Sequence, residues 1–279
     1  MTTLFGREAR VTVGTTEFTS LDFAFEIEKT LKPKPNTCEL TIWNLREDHI
    51  AELELLAPKT GKAAVTGIPC KIEAGYKDAV SQLWLGDLRT VETAIEGPDW
   101  VTKLSSGDGE KAWQNARLHV AYGPKTAIET ALRAAARALG VGEGNLAKVV
   151  SKLKIAGSAV FPAGTVVSGS ASRELVEIAR SADLEVSIQD GALQFLDRGK
   201  ALAGQAIRLA PETGMIGSPT VDNKGILTVK SLIIPDLKPG AVVVVEGRRI
   251  KGNFRATKCV WSGDTAGEDW TITTEAERY

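Results

Sequence analysis

The pattern Gly-x-Asp-Trp occurs twice, as Gly97-Pro98-Asp99-Trp100 and as Gly267-Glu268-Asp269-Trp270, about 170 residues apart. The same succession precedes each copy: an alternating apolar–polar segment, a Gly turn, a second alternating segment and a polar turn. It reads "PCKIEAGYKDAVSQLWLGDLRTVET" before the first and "AVVVVEGRRIKGNFRATKCVWSGDT" before the second. Gly75 to Asp99 is 24 residues and Gly247 to Asp269 is 22. Alternation with period two is the mark of a half-buried strand. The two ends of the chain therefore read as copies of one β plan, and what repeats is the order of features more than the letters. A chance likeness between two β-hairpins is the competing reading.

The rest of the chain fits a strand-rich frame around a helical middle. "ARVTVG", "EFTSLDFAFEIEKT" and "NTCELTIWNL" alternate, with Phe18, Phe23, Phe25 and Ile27, then Cys38, Leu40 and Ile42, on apolar faces. "KTLKPKPN" between them is a Pro-rich turn. A short helix follows, with Asn44 as its cap, Glu47 reaching back, and Ile50, Leu53 and Leu56 as its stripe. In the middle, "GPKTAIETALRAAARALGVG" is a helix with Pro124 in its first turn and Gly140 at its end. "SRELVEIARSADLEV" is a second, opened by Ser170 or Ser172. Asp190-Gly191 between alternating runs signals a hairpin. Many strands with few helices suggest closed or nearly closed barrels, which hide strand edges. The expected fold is mainly β with an α+β insertion: two similar β-barrels in one chain plus a small α+β domain. The expected divisions are 1–108 for the first barrel, 109–122 with 216–279 for the second, and 123–215 for the insertion.

Composition narrows the function. Among 279 residues, 34 are Lys or Arg and 35 Asp or Glu, mixed along the chain. This argues against sequence-specific nucleic-acid binding through a basic face. The longest apolar run, within "AVVVVEG", is too short for a bilayer, so no membrane insertion is expected. The opening "MTTLFGREARVTV" lacks the pattern of a signal peptide. Cys38, Cys70 and Cys259 are scattered, and each reads as a small buried hydrophobe from a reducing cell interior.

These segments resemble the central baseplate hub proteins of phage tails and related injection machines, the late control protein D family. The residues that carry the resemblance are "NTCELTIWNL" with its helix, "IEAGY", "LWLGDLRTVETAIEGPDWVTKLSSGDGEKAW", "IIPDLKPGAVVVVEG" and "GNFRATKCVWSGDTAGEDW". The resemblance implies two tail-tube-like barrels per chain and a homotrimer whose six barrels make a pseudo-sixfold ring. Such a ring adapts a sixfold tail tube to a threefold central spike and leaves a channel for DNA. The implied partners are the tail tube or distal tail protein, the central spike protein and the surrounding baseplate proteins. The implied location is the tail baseplate of the virion, assembled in the host cytoplasm. The chain is shorter than the largest members of that family, so any enzyme is expected on another chain.

No chemistry stands out against that reading. His49 beside Asp48 reads as a solvated helix surface, and His119 as a polar residue facing a channel or an interface. Two His and three dispersed Cys have no zinc spacing. "GSAS" (Gly169 to Ser172) lacks the surroundings of a nucleophile turn. "SSGDGE" and "WSGDTAGED" lack the ligand spacing of a calcium loop. Asp99 and Asp269 are expected to bond their own backbone at turns. Trp100 and Trp270 are expected to pack on the barrels they close. No catalytic, cofactor or metal residue is assigned. Two other readings stand beside the hub. One is a tail-associated cell-wall hydrolase with its site in the middle domain, where Glu174 and Glu177 are the residues to test. The other is a sugar-binding β-barrel, which would need exposed aromatics.

Overall fold

A computed structural model describes residues 6–57, 67–77, 79–155 and 160–279. Residues 1–5, 58–66 and 78 of the expected first barrel, and 156–159 of the middle, lie outside the described residues. The chain forms two compact units. One joins Met1–Lys29, Asn36–Gly107 and Ala203–Tyr279, and the other joins Thr30–Pro35 and Asp108–Leu202.

In chain order the first unit begins with β1 (Arg7–Val13), β2 (Thr16–Phe18), β3 (Phe23–Thr30), β4 (Thr37–Trp43), α1 (Glu47–Leu56), β5 (Pro69–Tyr76), β6 (Ala79–Glu96) and β7 (Asp99–Gly107). The second unit supplies α2 (Glu110–Asn115), β8 (Arg117–Tyr122), α3 (Ile128–Leu139), α4 (Leu146–Ile155), β9 (Thr165–Ser170), α5 (Ala171–Ser181), β10 (Leu184–Gln189) and β11 (Ala192–Asp197). The chain then returns to the first unit through β12 (Ile207–Leu209), β13 (Met215–Val221), β14 (Leu227–Leu232), β15 (Val242–Glu246), β16 (Lys251–Asp264) and β17 (Trp270–Arg278).

The two ends of the chain follow one plan. In the first half the strands lie in the order β1-β5-β6-β7-β4-β3, and in the second β12-β15-β16-β17-β14-β13. The likeness extends to local detail. The β6–β7 register shifts between Leu88 and Thr90, and the β16–β17 register between Ala256 and Lys258. The Asn44 N–H donates to the Trp100 carbonyl at 2.7 Å, and the Ile233 N–H to the Trp270 carbonyl at 3.2 Å. One step back, Trp43 donates to Asp22 at 3.0 Å, and Leu232 to Gly214 at 2.8 Å. A bulge is an extra residue in one strand that bends it, so two bulges at matching places, with matching end bonds, support a duplicated unit. The halves also differ. β1 pairs antiparallel with β5, whereas β12 pairs parallel with β15, and the helix α1 between β4 and β5 has no counterpart between β14 and β15.

All these strands belong to a single 13-stranded sheet, joined where β3 lies beside β16. Its hydrogen-bonded path runs open from β13 to β2, and no closed barrel is present among the described residues. The inner faces share one apolar cluster, with Trp84, Trp261, Trp270, Phe23 and Ile27 fully buried. Alternation predicts these faces well but does not say which edges meet.

In the second unit, α3 and α5 bury Leu132, Ala135, Leu139, Leu175, Ile178 and Ala179 in a core that also holds Phe195. β8 pairs with β9, which places "RLHVAY" here, whereas the sequence reading put 109–122 with the second barrel. The Asp190-Gly191 hairpin joins β10 to β11 with φ values of 53° and 77°, the left-handed pair such a turn needs. Gly140 ends α3 at φ 64°, as expected of a C-terminal glycine. The caps differ from expectation. α1 starts after Arg46 with no side-chain cap, and Ser170 holds the N-cap position of α5 as expected, but its Oγ bonds Ser172 Oγ at 2.9 Å instead of a backbone N–H. Pro124 lies ahead of α3, whose cap position is Ala127.

Candidate assembly surface

His49, His119, Asp108 and Asp264, each weighed above for possible chemistry, all have a partner in the fold. The His49 imidazole stands edge-on to Phe18 at 5.5 Å and faces Glu52 at 3.7 Å, while Asp48 is bound by Arg46. His119 Nδ1 bonds Ser168 Oγ at 2.6 Å across the β8–β9 pair. Asp108 of "SSGDGE" is buried and accepts the Gly191 N–H at 2.7 Å, which pins the β10–β11 turn. Asp264 of "WSGDTAGED" accepts the Ala266 and Gly267 N–H groups at 2.9 and 2.7 Å. No group of three or more His, Cys, Asp or Glu among the described residues is arranged to hold a metal. A groove of about 420 Å³ beside α5 is lined by Trp113, Ser172, Arg173, Arg180 and Glu177, and it contains a single carboxylate. Cys38, Cys70 and Cys259 are free and buried; burial pushes the Cys70 and Cys259 thiols up to about 12 and Cys38 well above its ordinary value.

The repeated Asp-Trp hairpins are where the two halves differ most. At β16–β17, β3 is docked along the outer edge of the hairpin. The Thr265 N–H donates to the Phe23 carbonyl at 3.0 Å, the Phe23 N–H to Thr265 Oγ1 at 2.9 Å, and Lys258 Nζ lies 2.9 Å from Glu28. These contacts run in opposite senses along the two strands, so the pair is antiparallel. The Phe25 ring lies over Gly263, where an added Cβ would stand 2.3 Å from a ring carbon. Phe25 also meets Trp270 edge-on at 5.9 Å, a favoured aromatic geometry. Arg7 completes the junction. Its guanidinium lies 5.7 Å from the centre of the Trp270 ring and donates to the Gly267 and Glu268 carbonyls at 2.9 and 3.0 Å. Trp270 is 1% exposed as a result.

Among the described residues, the β6–β7 hairpin is held from its inner side. Asn44, at φ 54°, donates through Nδ2 to Asp99 at 2.9 Å and accepts the Trp100 N–H at 3.1 Å. So Asn44 serves the hairpin rather than capping α1, and Asp99 bonds Asn44 rather than its own backbone. In the second repeat it is the backbone carbonyl of Asp269 that takes part, accepting from Asp264 at 2.7 Å. On the other edge, β6 beyond Leu88 has no strand beside it among the described residues. Ile95 is 64% exposed and Trp100 42%, so Trp100 does not pack on the sheet as expected. A second open edge belongs to β13, which pairs with β14 alone among the described residues and leaves Ile216 and Val221 exposed. Beside it lies a groove of about 630 Å³ lined by Ser218, Pro219, Val221, Arg248, Arg249 and Ile250. The sequence marks the two Trp and offers Asn44 only as a helix cap, and it marks none of Arg7, Ile95 or Arg248. Only laying the repeats over each other would have drawn attention to Ile95, which takes the place of Gly263.

Comparison with known proteins gives a consistent picture. A family model described as "Baseplate hub gp41" matches residues 9–248. No curated protein matches the sequence. The fold resembles the 43 kDa tail protein of prophage MuSo2 from Shewanella oneidensis, at TM-score 0.67 and 10% identity over 98% of this chain and 97% of that one. It also resembles a tail protein from Neisseria meningitidis MC58, at TM-score 0.64 and 12% identity over 98% and 97%. A third similar structure is the E. coli c3393 protein, a component of the type VI secretion system described as similar to T4 tail proteins gp27 and gp5. It aligns at TM-score 0.58 and 11% identity over 96% of this chain and 76% of that chain.

Proposed function

Because this chain belongs to the baseplate hub gp41 family, whose model spans residues 9–248, we propose that it is the structural hub of a phage or phage-like tail baseplate. Three copies form a ring. Each copy contributes two tube-like β units, residues 6–107 and 207–279, so the ring has six similar faces and adapts a sixfold tube to a threefold spike. The observation that carries this reading is the repeated strand order within one chain. Two quasi-equivalent units per chain are what a trimer needs to present pseudo-sixfold symmetry, and a head-to-tail interface closes into a ring when each unit turns the next by about 60°.

The role is structural, with no catalytic residue on this chain. The ring encloses a channel for DNA with a polar lining that is not strongly basic, since a basic wall would hold phosphates. Its neighbours are the tube or distal tail protein, the spike and the surrounding baseplate, and it resides in the virion after assembly in the host cytoplasm. Residues 108–202 serve docking to one of those neighbours. The test is the solution mass of the full chain by light scattering over a concentration series, followed by electron microscopy. A mass near three times 29.8 kDa with a central hole is expected. A monomer at every concentration would overturn the ring. Peptidoglycan turnover that is lost on Glu174→Gln or Glu177→Gln would overturn the structural role.

A further inference from the structure

We propose that the β6–β7 hairpin of one copy receives the outer edge of β13 and the Arg248–Arg249 turn of the next copy. This contact would reproduce, between chains, the junction made inside the chain by β3, Arg7 and the β16–β17 hairpin. It rests on the ring reading above and names the surfaces that close the ring.

The repeat supplies the correspondence residue by residue. Counting from the matching bulges and the matching pairs, Trp100 holds the place of Trp270, Ile95 that of Gly263 and Thr90 that of Lys258. On the docking side, β13 holds the place of β3, and Asp222 that of Glu28, because Asp222 bonds Ile226 where Glu28 pairs with Thr37. Arg7 stands opposite Tyr76 at the β5–β6 turn; in the second half that turn is β15–β16, and it carries Arg248 and Arg249. The chain thus has two hairpin faces and two docking edges. Among the described residues, one of each is used internally and one of each is left open.

Exposure and charge agree with this assignment. Ile95 and Trp100 on the hairpin and Ile216 and Val221 on β13 are four of the eight exposed large hydrophobic residues described. Beyond its bulge, from Thr90 on, the hairpin carries Glu92, Glu96 and Asp99 against Lys103, and the groove beside β13 carries two arginines, so the surfaces are complementary in sign. In the internal junction an arginine lies over the tryptophan and bonds the hairpin carbonyls; Arg248 or Arg249 is placed to do the same to Trp100. The two open faces are different surfaces, so the contact is head-to-tail and propagates around a ring rather than closing a twofold dimer. β13 has a register shift between Ile216 and Thr220 and includes Pro219, which has no N–H to donate. The ladder between chains is therefore shorter than that of β3, and the apolar and arginine contacts carry more of the interface.

The test uses the full chain carrying Thr90→Cys and Asp222→Cys, the places of Lys258 and Glu28. Mild oxidation is followed by denaturing electrophoresis and mass spectrometry of the linked peptides. The three native thiols are buried and stay unlinked. The expected result is a covalent ladder ending in a closed species, with the 90–222 link joining different copies and no ladder from either single variant. In parallel, Trp100→Ser and the double variant Arg248→Ala/Arg249→Ala are expected to fold as the wild type but to associate at least about tenfold more weakly. A wild-type trimer whose double-cysteine form stays unlinked, with Trp100→Ser associating normally, would overturn this interface and leave the ring standing. A wild-type monomer at all concentrations would overturn both.

Discussion

The β16–β17 and β6–β7 hairpins share an Asp-Trp pair, a bulge at the same place and a backbone bond from the end of the neighbouring strand. Trp270 is buried and Trp100 is open all the same, since β3 and Arg7 lie on the first and no described residue plays their part on the second. The local fold sets where each indole points. What docks against that place then sets whether it is core or surface. An exposed aromatic at a position that is buried in its own repeat partner is thus a sign of an interface, whereas an isolated exposed apolar residue is ordinary.

Substitutions can erase or sharpen this contrast. The largest effect is expected at the tryptophans. Trp270→Ala should cost about 3–5 kcal/mol of unfolding free energy, because it opens a cavity beneath Phe25. Trp100→Ala, measured by denaturant unfolding of dilute chain, should cost under about 1 kcal/mol. Equal losses would mean that the two hairpins do not differ as described. Next is Gly263→Ile, which writes the residue found at position 95 into the place where the Phe25 ring sits. Displacing that ring should cost about 1–3 kcal/mol, while Ile95→Val should leave the dilute chain's stability within about 0.5 kcal/mol.

The thiols provide a control that should treat the two halves alike. Cys70 lies in the first and Cys259 in the second, and both are pushed from 9.0 up to about 12 by burial. The folded chain keeps these protons when the unfolded chain has lost them, so stability should fall as pH rises from about 9 towards 12. The slope is at most about 1.4 kcal/mol per pH unit for each thiol. Below pH 8 a thiol reagent should label neither until denaturant is added. A small effect is expected at Lys258→Ala, which removes the partly exposed pair with Glu28. It should cost under about 1 kcal/mol and fade with added salt.

Much of this could be read before any coordinates. Alternation locates most strands of both ends, the Asp190-Gly191 turn and the Gly140 helix end, and the Gly-x-Asp-Trp pattern marks two corresponding hairpins; it misses β13, and β12, which belongs to the main sheet, falls inside the expected 123–215 insertion. Other features escaped it. α4 was not seen, because "LAKVVSKLKI" carries no strong start or stop signal. Asn44 looked like a helix cap, because a residue that bonds the next helix and one that bonds a distant hairpin have the same side chain. "RLHVAY" pairs with β9 rather than joining the second barrel, and the described strands form one open path where two closed or nearly closed barrels are expected.

The sequence by itself determined which segments of the two ends are mostly strand and which faces they bury, and it pointed to one plan used twice. Those properties depend on side-chain period and on turn residues, and both are local. Only the tertiary structure decided which edges meet, that β3 covers the second hairpin and that the first is left open. Strand edges are recognised through backbone N–H and C=O groups, which are nearly the same at every residue, so a sequence states its faces far more clearly than its partners.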